Sequence, residues 1–381
     1  MKKKIFTVLG LMSGTSMDGV DLSLIRTDGS DYYEQISDGF YRFSNELFEK
    51  LIFLRESIKN TKDLQKKSNL ITNIENKFTL FNAKIINDFL KNKNLTPDII
   101  GFHGQTIYHK PNDKISKQIG NADLLSQLTK CTVVNNFRQQ DLDNDGQGAP
   151  LTPIFHYLIS KYINKKKELD YPINIMNIGG ITNVTTILNN KNIEKEIFAY
   201  DIGPGNCLID EWVRNNSKKK FDDDGSFASS GQVNQLILNQ AIDNFEISSI
   251  EESMDLNDFD ISFSKGLTLE DGCATLNEFT AYLISEGLKK INQINKIDVK
   301  NLIICGGGRK NSFLIQNIFK YMNNKMINIK NIDEFQLNGD FIESQAFAYL
   351  AVKRLLNLPI TFPNTTRCKT PSIGGQIIKN F

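Results

Sequence analysis

The feature that most constrains this chain is a strand–turn–strand unit that occurs twice, far apart. Near the start, Ile5-Phe6-Thr7-Val8-Leu9 reads as a strand. The turn Gly10-Leu11-Met12-Ser13-Gly14-Thr15-Ser16-Met17-Asp18-Gly19 follows. Val20, Leu22 and Leu24 then alternate with Asp21 and Ser23, the pattern of a second strand. Residues 173–187 repeat the plan: INIMNI, the glycines Gly179 and Gly180, then ITNVTTI. The spacing is too long for a solenoid and indicates two halves of similar design, each presenting a hairpin turn to a shared cleft. A third glycine turn, Gly306-Gly307-Gly308-Arg309-Lys310-Asn311, follows the apolar strand Asn301-Leu302-Ile303-Ile304-Cys305. Glycine there permits positive φ and close approach of backbone to a ligand. The first turn is not a P-loop, which needs Gly-x4-Gly-Lys-Ser/Thr opening a helix. Both the lysine and the helix are absent.

Between the turns, residues 44–70, 72–93, 274–294 and 341–356 carry apolar side chains at three-to-four spacing and are predicted helices. Ser44 is a candidate N-cap for the first, and Glu343 lies near the start of the last. Strands alternating with helices indicate an α/β protein. The polar stretch 214–268 reads as a loop-rich insertion or lid. A length of 381 residues suits two to three domains. With 45 basic and 44 acidic residues, the charge gives no support for a nucleic-acid partner. Five cysteines, an odd number without paired spacing, argue against a disulfide framework or zinc site and suit a reducing cytoplasm. Lys2-Lys3-Lys4 and the apolar run after it imitate a secretory leader. That run is short, however, and a polar stretch follows without a cleavage pattern. No segment approaches the ~18 apolar residues of a membrane span, so a soluble, cytoplasmic protein with no membrane partner is expected.

Two matched hairpins plus a strand–GGG turn resemble the actin-like ATPase superfamily, which includes hexokinase-type sugar kinases. Further motifs sharpen the likeness: Gly101-Phe102-His103-Gly104-Gln105-Thr106, Gln147-Gly148-Ala149-Pro150, Asn177-Ile178-Gly179-Gly180, Asp201-Ile202-Gly203-Pro204-Gly205-Asn206 and Glu343-Ser344-Gln345-Ala346-Phe347-Ala348. In this order, from about residue 8 to the C-terminus, they look like the anhydro-N-acetylmuramic acid kinase family. The resemblance implies an α/β, two-domain actin-like (ribonuclease H-like) ATPase fold with an interdomain catalytic cleft. The first domain would comprise residues 1–134 with 345–381, and the second 135–344. It implies ATP and Mg²⁺, and an anhydro-amino-sugar substrate that is opened by water and phosphorylated to N-acetylmuramic acid 6-phosphate in cell-wall sugar recycling. A homodimer is compatible with it.

Site residues follow from the same likeness. Gly14, Thr15, Ser16, Met17, Asp18, Gly19, Val20 and Asp21, with Gly179 and Gly180, would hold the phosphates, and Gly306, Gly307 and Gly308 the adenosine. Carboxylates in a phosphate turn need a bridging cation. Two like charges at ~4 Å repel by about 4 kcal/mol at an effective dielectric near ~20, and a hydrated Mg²⁺ reverses that sign. Asp18 or Asp21 would serve the metal, directly or through water, although Asp18-Gly19 also reads as an ordinary hairpin turn. Asp201, at a strand end before Gly-Pro-Gly, matches the family's catalytic base; capping the helix near Cys207–Val213 is its alternative. Glu343 matches a sugar-contacting glutamate, with favourable charge at a helix N-terminus as the competing role. His103 and Gln105 would bond the substrate or order the cleft, and Arg138 would take the lactyl carboxylate through its planar fork. His109 and His156 read as structural. The chain departs from the family at Asn121, Asn136 and Ile202, which usually read Asp, Asp and Thr, and residues 252–259 lack a leading Pro-Pro-Lys.

Overall fold

The computed structural model describes residues 3–14, 16–166, 168–245, 254, 258–298, 300–322 and 327–381. Thr15 and most of 252–259 lie outside the described residues. The chain forms two compact units, Met1–Tyr162 with Phe341–Phe381, and Ile163–Asp340. Residues 135–162 and 341–344 thus belong to the first unit, not to the second as expected. The helix Pro153–Lys165 supplies the reason: Phe155 packs its ring 5.5 Å from Tyr33 and 5.9 Å from Tyr349.

The first unit is built on strands β1 (Phe6–Ser13), β2 (Gly19–Thr27), β3 (Tyr33–Arg42), β4 (Ile99–Lys110), β5 (Ile115–Ile119) and β6 (Val133–Asn135), with a C-terminal strand Gln376–Ile378. Their order is Gln376–Ile378, β6, β4, β1, β2, β3, and β5 pairs with β4. The short links make β1–β2 and β2–β3 antiparallel, whereas β4 returns parallel to β1 after a helical crossover. One face of the sheet, through Leu9, Leu11, Val20, Leu22 and Leu24, packs on Leu51, Ile74 and Phe78 of the crossover helices. Ser44 caps the first of these, Asn45–Ser57, by accepting from Leu47 N at 3.3 Å. The single helix predicted to residue 70 is broken. Asn60 forms a capping box with Asp63 and starts a separate helix, Thr61–Lys66. Across the other face runs the helix Ile342–Leu355. It lies so close that a Cβ on Gly10 would sit 1.9 Å from the Ser344 carbonyl oxygen, and one on Gly101 2.2 Å from that of Phe347.

The second unit repeats this design with β7 (Ile173–Ile178), β8 (Ile181–Ile187), β9 (Ile197–Pro204), β10 (Asn301–Cys305) and β11 (Asn328–Asn331), in the order β11, β10, β7, β8, β9. Again the first three strands are antiparallel neighbours and the last two add parallel to the first. Met176, Ile178, Val184, Tyr200 and Ile202 pack on Ala281, Ile284, Leu288 and Ile291 of the long helix Leu269–Asn295. The stretch 214–268 corrects the expectation of a loop-rich insertion. Its described part holds the helices Ser226–Ser230 and Gln235–Asn244, whose Ala228 and Leu238 share a core with Trp212 and Phe279. That stretch looked polar in sequence because only a narrow apolar stripe is needed to dock on a neighbouring helix.

Candidate active site

In the second unit, one end of the sheet gathers all three of its expected motifs. Gly205 N–H donates to the Gly180 carbonyl at 2.8 Å and Asn206 N–H to the Gly179 carbonyl at 2.7 Å, which locks the turn after β9 onto the β7–β8 hairpin. The Gly306–Gly308 turn fits against the same hairpin. A Cβ on Gly306 would meet Asn177 Oδ1 at 2.2 Å, and one on Gly308 the Ile178 side chain at 2.2 Å. Asn206 reaches across, with its amide 3.7 Å from the Cβ position of Gly307. Asp201 sits within β9, which runs on through Pro204, rather than at a strand end as expected, because Gly203 and Pro204 stay paired with β8. It lies opposite Asn183 of β8, which is itself opposite Asn177 of β7. Because paired residues share a face, these three side chains form one polar row, opposite to the Tyr200 and Ile202 core face. The Met254 N–H donates to Asp201 Oδ2 at 3.0 Å. The helix that follows, Cys207–Asn216, has Asn206 at its cap position, and the Asn206 side chain makes no cap bond.

The first unit holds the other expected residues. Ser13 Oγ donates to the Gly19 carbonyl at 2.9 Å and to Gln105 Oε1 at 2.5 Å, and Gln105 Nε2 donates to the Gly14 carbonyl at 3.1 Å. Gln105, 1% exposed, therefore braces the hairpin through both ends of its amide. Met17 adopts a left-handed φ of 54° with its side chain fully buried, and Val20 is also in the core. That leaves the backbone of the turn together with Ser16 and Asp18 outside the core, and Ser16 Oγ donates to Asp18 Oδ1 at 2.6 Å. Asp21 lies on the face of β2 shared with Ser23, whose hydroxyl is 2.7 Å from that of Ser344. Glu343 precedes Ser344 in the first turn of the crossing helix, where its charge also suits the helix N-terminus.

His103 and Arg138 are brought together. Arg138 Nε and Nη2 lie 3.1 and 3.0 Å from His103 Nε2, and Arg138 Nη1 donates to the Gly148 carbonyl at 2.7 Å. A guanidinium only donates, so Nε2 is an acceptor and Nδ1 carries the proton, 2.8 Å from the Gly104 carbonyl. Burial first, and the Arg138 charge second, depress His103 to about 3. His103 is a neutral brace for Arg138. Asp141, fully buried, completes this shell: it accepts from Gly148 N–H at 2.7 Å and from Thr366 Oγ1 at 2.7 Å.

Among the described residues, no three of His, Cys, Asp and Glu cluster to hold a metal by themselves. Mg²⁺ ordinarily takes one or two carboxylates with phosphate oxygens and waters. The all-oxygen set of Asp18 and Asp21 on one hairpin fits that requirement.

The departures from family pattern have local explanations. Asn121 caps the helix Ala122–Thr129, a task Asn and Asp share. Asn136 adopts φ 53°, a conformation in which Asn is enriched. Ile202 points to the core, where it packs against Gly287. Sequence reasoning missed Asn183, Asn206 and Arg309. Asn206 stood inside a quoted motif, but nothing in the pattern marked its side chain as the link between two turns.

The two units repeat one sheet plan, and in the second the glycine turns gather at one end of the sheet beside Asp201, the architecture expected of an actin-like fold. The family model described as anhydro-N-acetylmuramic acid kinase matches residues 6–380. The chain is 50% identical over 383 aligned residues, covering 100% of both chains, to the anhydro-N-acetylmuramic acid kinase of Pelagibacter ubique. It is 35% identical to that of Brucella canis, covering 97% of this chain and 98% of the other. It belongs to the anhydro-N-acetylmuramic acid kinase family. Among solved structures, component A of the Acidaminococcus fermentans (R)-2-hydroxyglutaryl-CoA dehydratase covers 92% of this chain and 99% of its own, at 12% identity and a TM-score of 0.45. That likeness is too distant to bear on function.

Proposed function

We propose that the chain uses ATP to convert 1,6-anhydro-N-acetylmuramic acid to N-acetylmuramic acid 6-phosphate, with Asp201 as general base. Water attacks the anomeric carbon, the bond from that carbon to O6 breaks, and O6 attacks the γ-phosphorus. Asp201 takes the proton from the water, and ADP leaves. One observation carries this reading: the turn after Asp201 is hydrogen-bonded to the Gly179–Gly180 hairpin and touches the Gly306–Gly308 turn, so the base stands beside backbone suited to phosphate and nucleoside.

The remaining residues position and neutralise, as phosphoryl transfer requires. The first hairpin offers backbone N–H groups and Ser16 to the phosphates. Mg²⁺, when bound at Asp18 or Asp21, offsets phosphate charge. Arg138 takes the lactyl carboxylate, and Glu343 faces the sugar. Thr15, also assigned to ATP, lies outside the described residues. A reducing cytoplasm suits cysteines that are all free.

The test is turnover in ¹⁸O-water with ATP and the anhydro sugar. The expected product carries the label on the anomeric oxygen and none in the phosphoryl group. Product made in ordinary water and then held in ¹⁸O-water corrects for exchange through ring opening. Sugar phosphate without label above that control overturns the hydrolytic mechanism. Asp201→Asn, expected to bind ATP yet give no sugar phosphate, checks the base; near-normal turnover would remove Asp201 from the mechanism.

A further inference from the structure

The Gly306–Gly308 turn does not hold its shape alone. Arg309, next in sequence, has a side chain only 3% exposed, yet it is a full positive charge. Its Nε donates to Asp333 Oδ2 at 2.8 Å and its Nη2 to Asp333 Oδ1 at 3.4 Å. Its Nη1 donates to Asp340 Oδ1 at 2.6 Å and to the Gly306 carbonyl at 3.1 Å. Asp333 comes from the short 3-10 turn Ile332–Phe335 after β11, so the guanidinium ties together three separate segments. Gly339 completes the latch. Its N–H donates to Asp333 Oδ1 at 2.8 Å, its carbonyl accepts from Gly306 N–H at 3.3 Å, and a Cβ on it would lie 2.4 Å from Arg309 Nε.

Both backbone polar groups of Gly306 therefore end on this latch, and Gly306 has φ +79°, an uncommon conformation that must be held. Gly307 differs. An added Cβ there meets nothing nearer than Asn206 Nδ2 at 3.7 Å, so the protein's own packing does not demand glycine at that position. On the adenosine reading, close approach of the ligand supplies that demand. The latch fixes the entry to the turn and leaves its ligand-facing residue open.

We infer that Arg309 is a positioning residue for nucleotide binding: its fork to Asp333, Asp340 and the Gly306 carbonyl sets the geometry of the glycine turn. The inference rests on the reading that this turn receives adenosine. Lysine cannot substitute, because a single ammonium does not reproduce a planar fork that serves two carboxylates and a carbonyl.

The test uses the full chain, with KM for ATP and for 1,6-anhydro-N-acetylmuramic acid measured separately, alongside melting temperature. Arg309→Lys is expected to raise KM for ATP by about tenfold or more, with KM for the sugar within about twofold and kcat at saturating ATP little changed. Asp333→Asn, which leaves Asp340 and Gly306 in place, should show the same split in milder form and serves if the lysine variant fails to fold. Gly307→Val, whose Cβ would meet no protein atom nearer than 3.7 Å, is expected to abolish ATP binding. If Gly307→Val binds ATP normally, the adenosine reading fails and this inference with it. If Gly307→Val loses ATP while Arg309→Lys and Asp333→Asn keep the wild-type KM, the turn is the nucleotide site but Arg309 does not set it. Equal increases in both KM values would mark Arg309 as a general structural residue and overturn its positioning role.

Discussion

The guanidinium of Arg138 is oriented by neighbours on the protein itself. The Gly148 carbonyl and the neutral His103 each accept from its guanidinium, and Asp141 holds Gly148 in turn. A neutral histidine orients the fork without adding charge; a protonated one would repel it. Arg138→Lys keeps the charge and loses the planar geometry. KM for the anhydro sugar is expected to rise about tenfold while KM for ATP stays within about twofold. Steady-state kinetics with each substrate varied in turn checks this. An unchanged sugar KM would remove Arg138 from carboxylate recognition.

At the level of elements, the glycines of the first unit fall into two kinds, and the difference predicts opposite outcomes. Gly101 is demanded by packing, because a Cβ would collide with the backbone of the helix that carries Glu343. Gly14 meets nothing within 4 Å and has no positive φ. Gly101→Ala is expected to destabilise by about 1–3 kcal/mol, as overpacking does, and to lower activity through displacement of that helix. Gly14→Ala should leave stability within about 0.5 kcal/mol of wild type but weaken ATP binding. Urea denaturation and a fluorescent-nucleotide titration separate the two. A Gly14→Ala variant with unaltered nucleotide affinity would take the first hairpin out of the phosphate site. The repeated hairpins were legible in sequence because strand alternation and glycine turns are local signals. So were Asp201 and the GGG turn, which sit in contiguous motifs. The bonds from Gln105 to Gly14 and from Arg309 to Asp333 and Asp340 were not, since each joins residues distant in sequence through side-chain geometry. The docked helices within 214–268 were missed because tertiary packing overrode weak local preference.

For the molecule as a whole, the acid sensitivity that arises from buried histidine lies in one unit. The chain's three histidines, His103, His109 and His156, all lie in the first unit. Burial is the leading cause that lowers each to about 3, with the Arg138 charge adding to His103 and His109. In the unfolded chain a histidine titrates near ~6.5. Below that pH the unfolded state binds protons that the folded state refuses until about 3. Their contribution to stability is thus fully present above ~6.5 and is lost as pH falls toward about 3. With up to three protons involved, the slope reaches about 4 kcal/mol per pH unit. The second unit has no such groups. Native-state hydrogen exchange at pH 7 and pH 5, compared as protection factors, is expected to show β4 and the helix Pro153–Lys165 losing protection first, while β7, β8 and β10 hold. Equal loss in both units would mean that carboxylates rather than buried histidines govern acid unfolding. Loss confined to the first unit would have a functional corollary: the Gly306–Gly308 turn and its Arg309 latch would survive a pH at which the Arg138 site and the first hairpin no longer do.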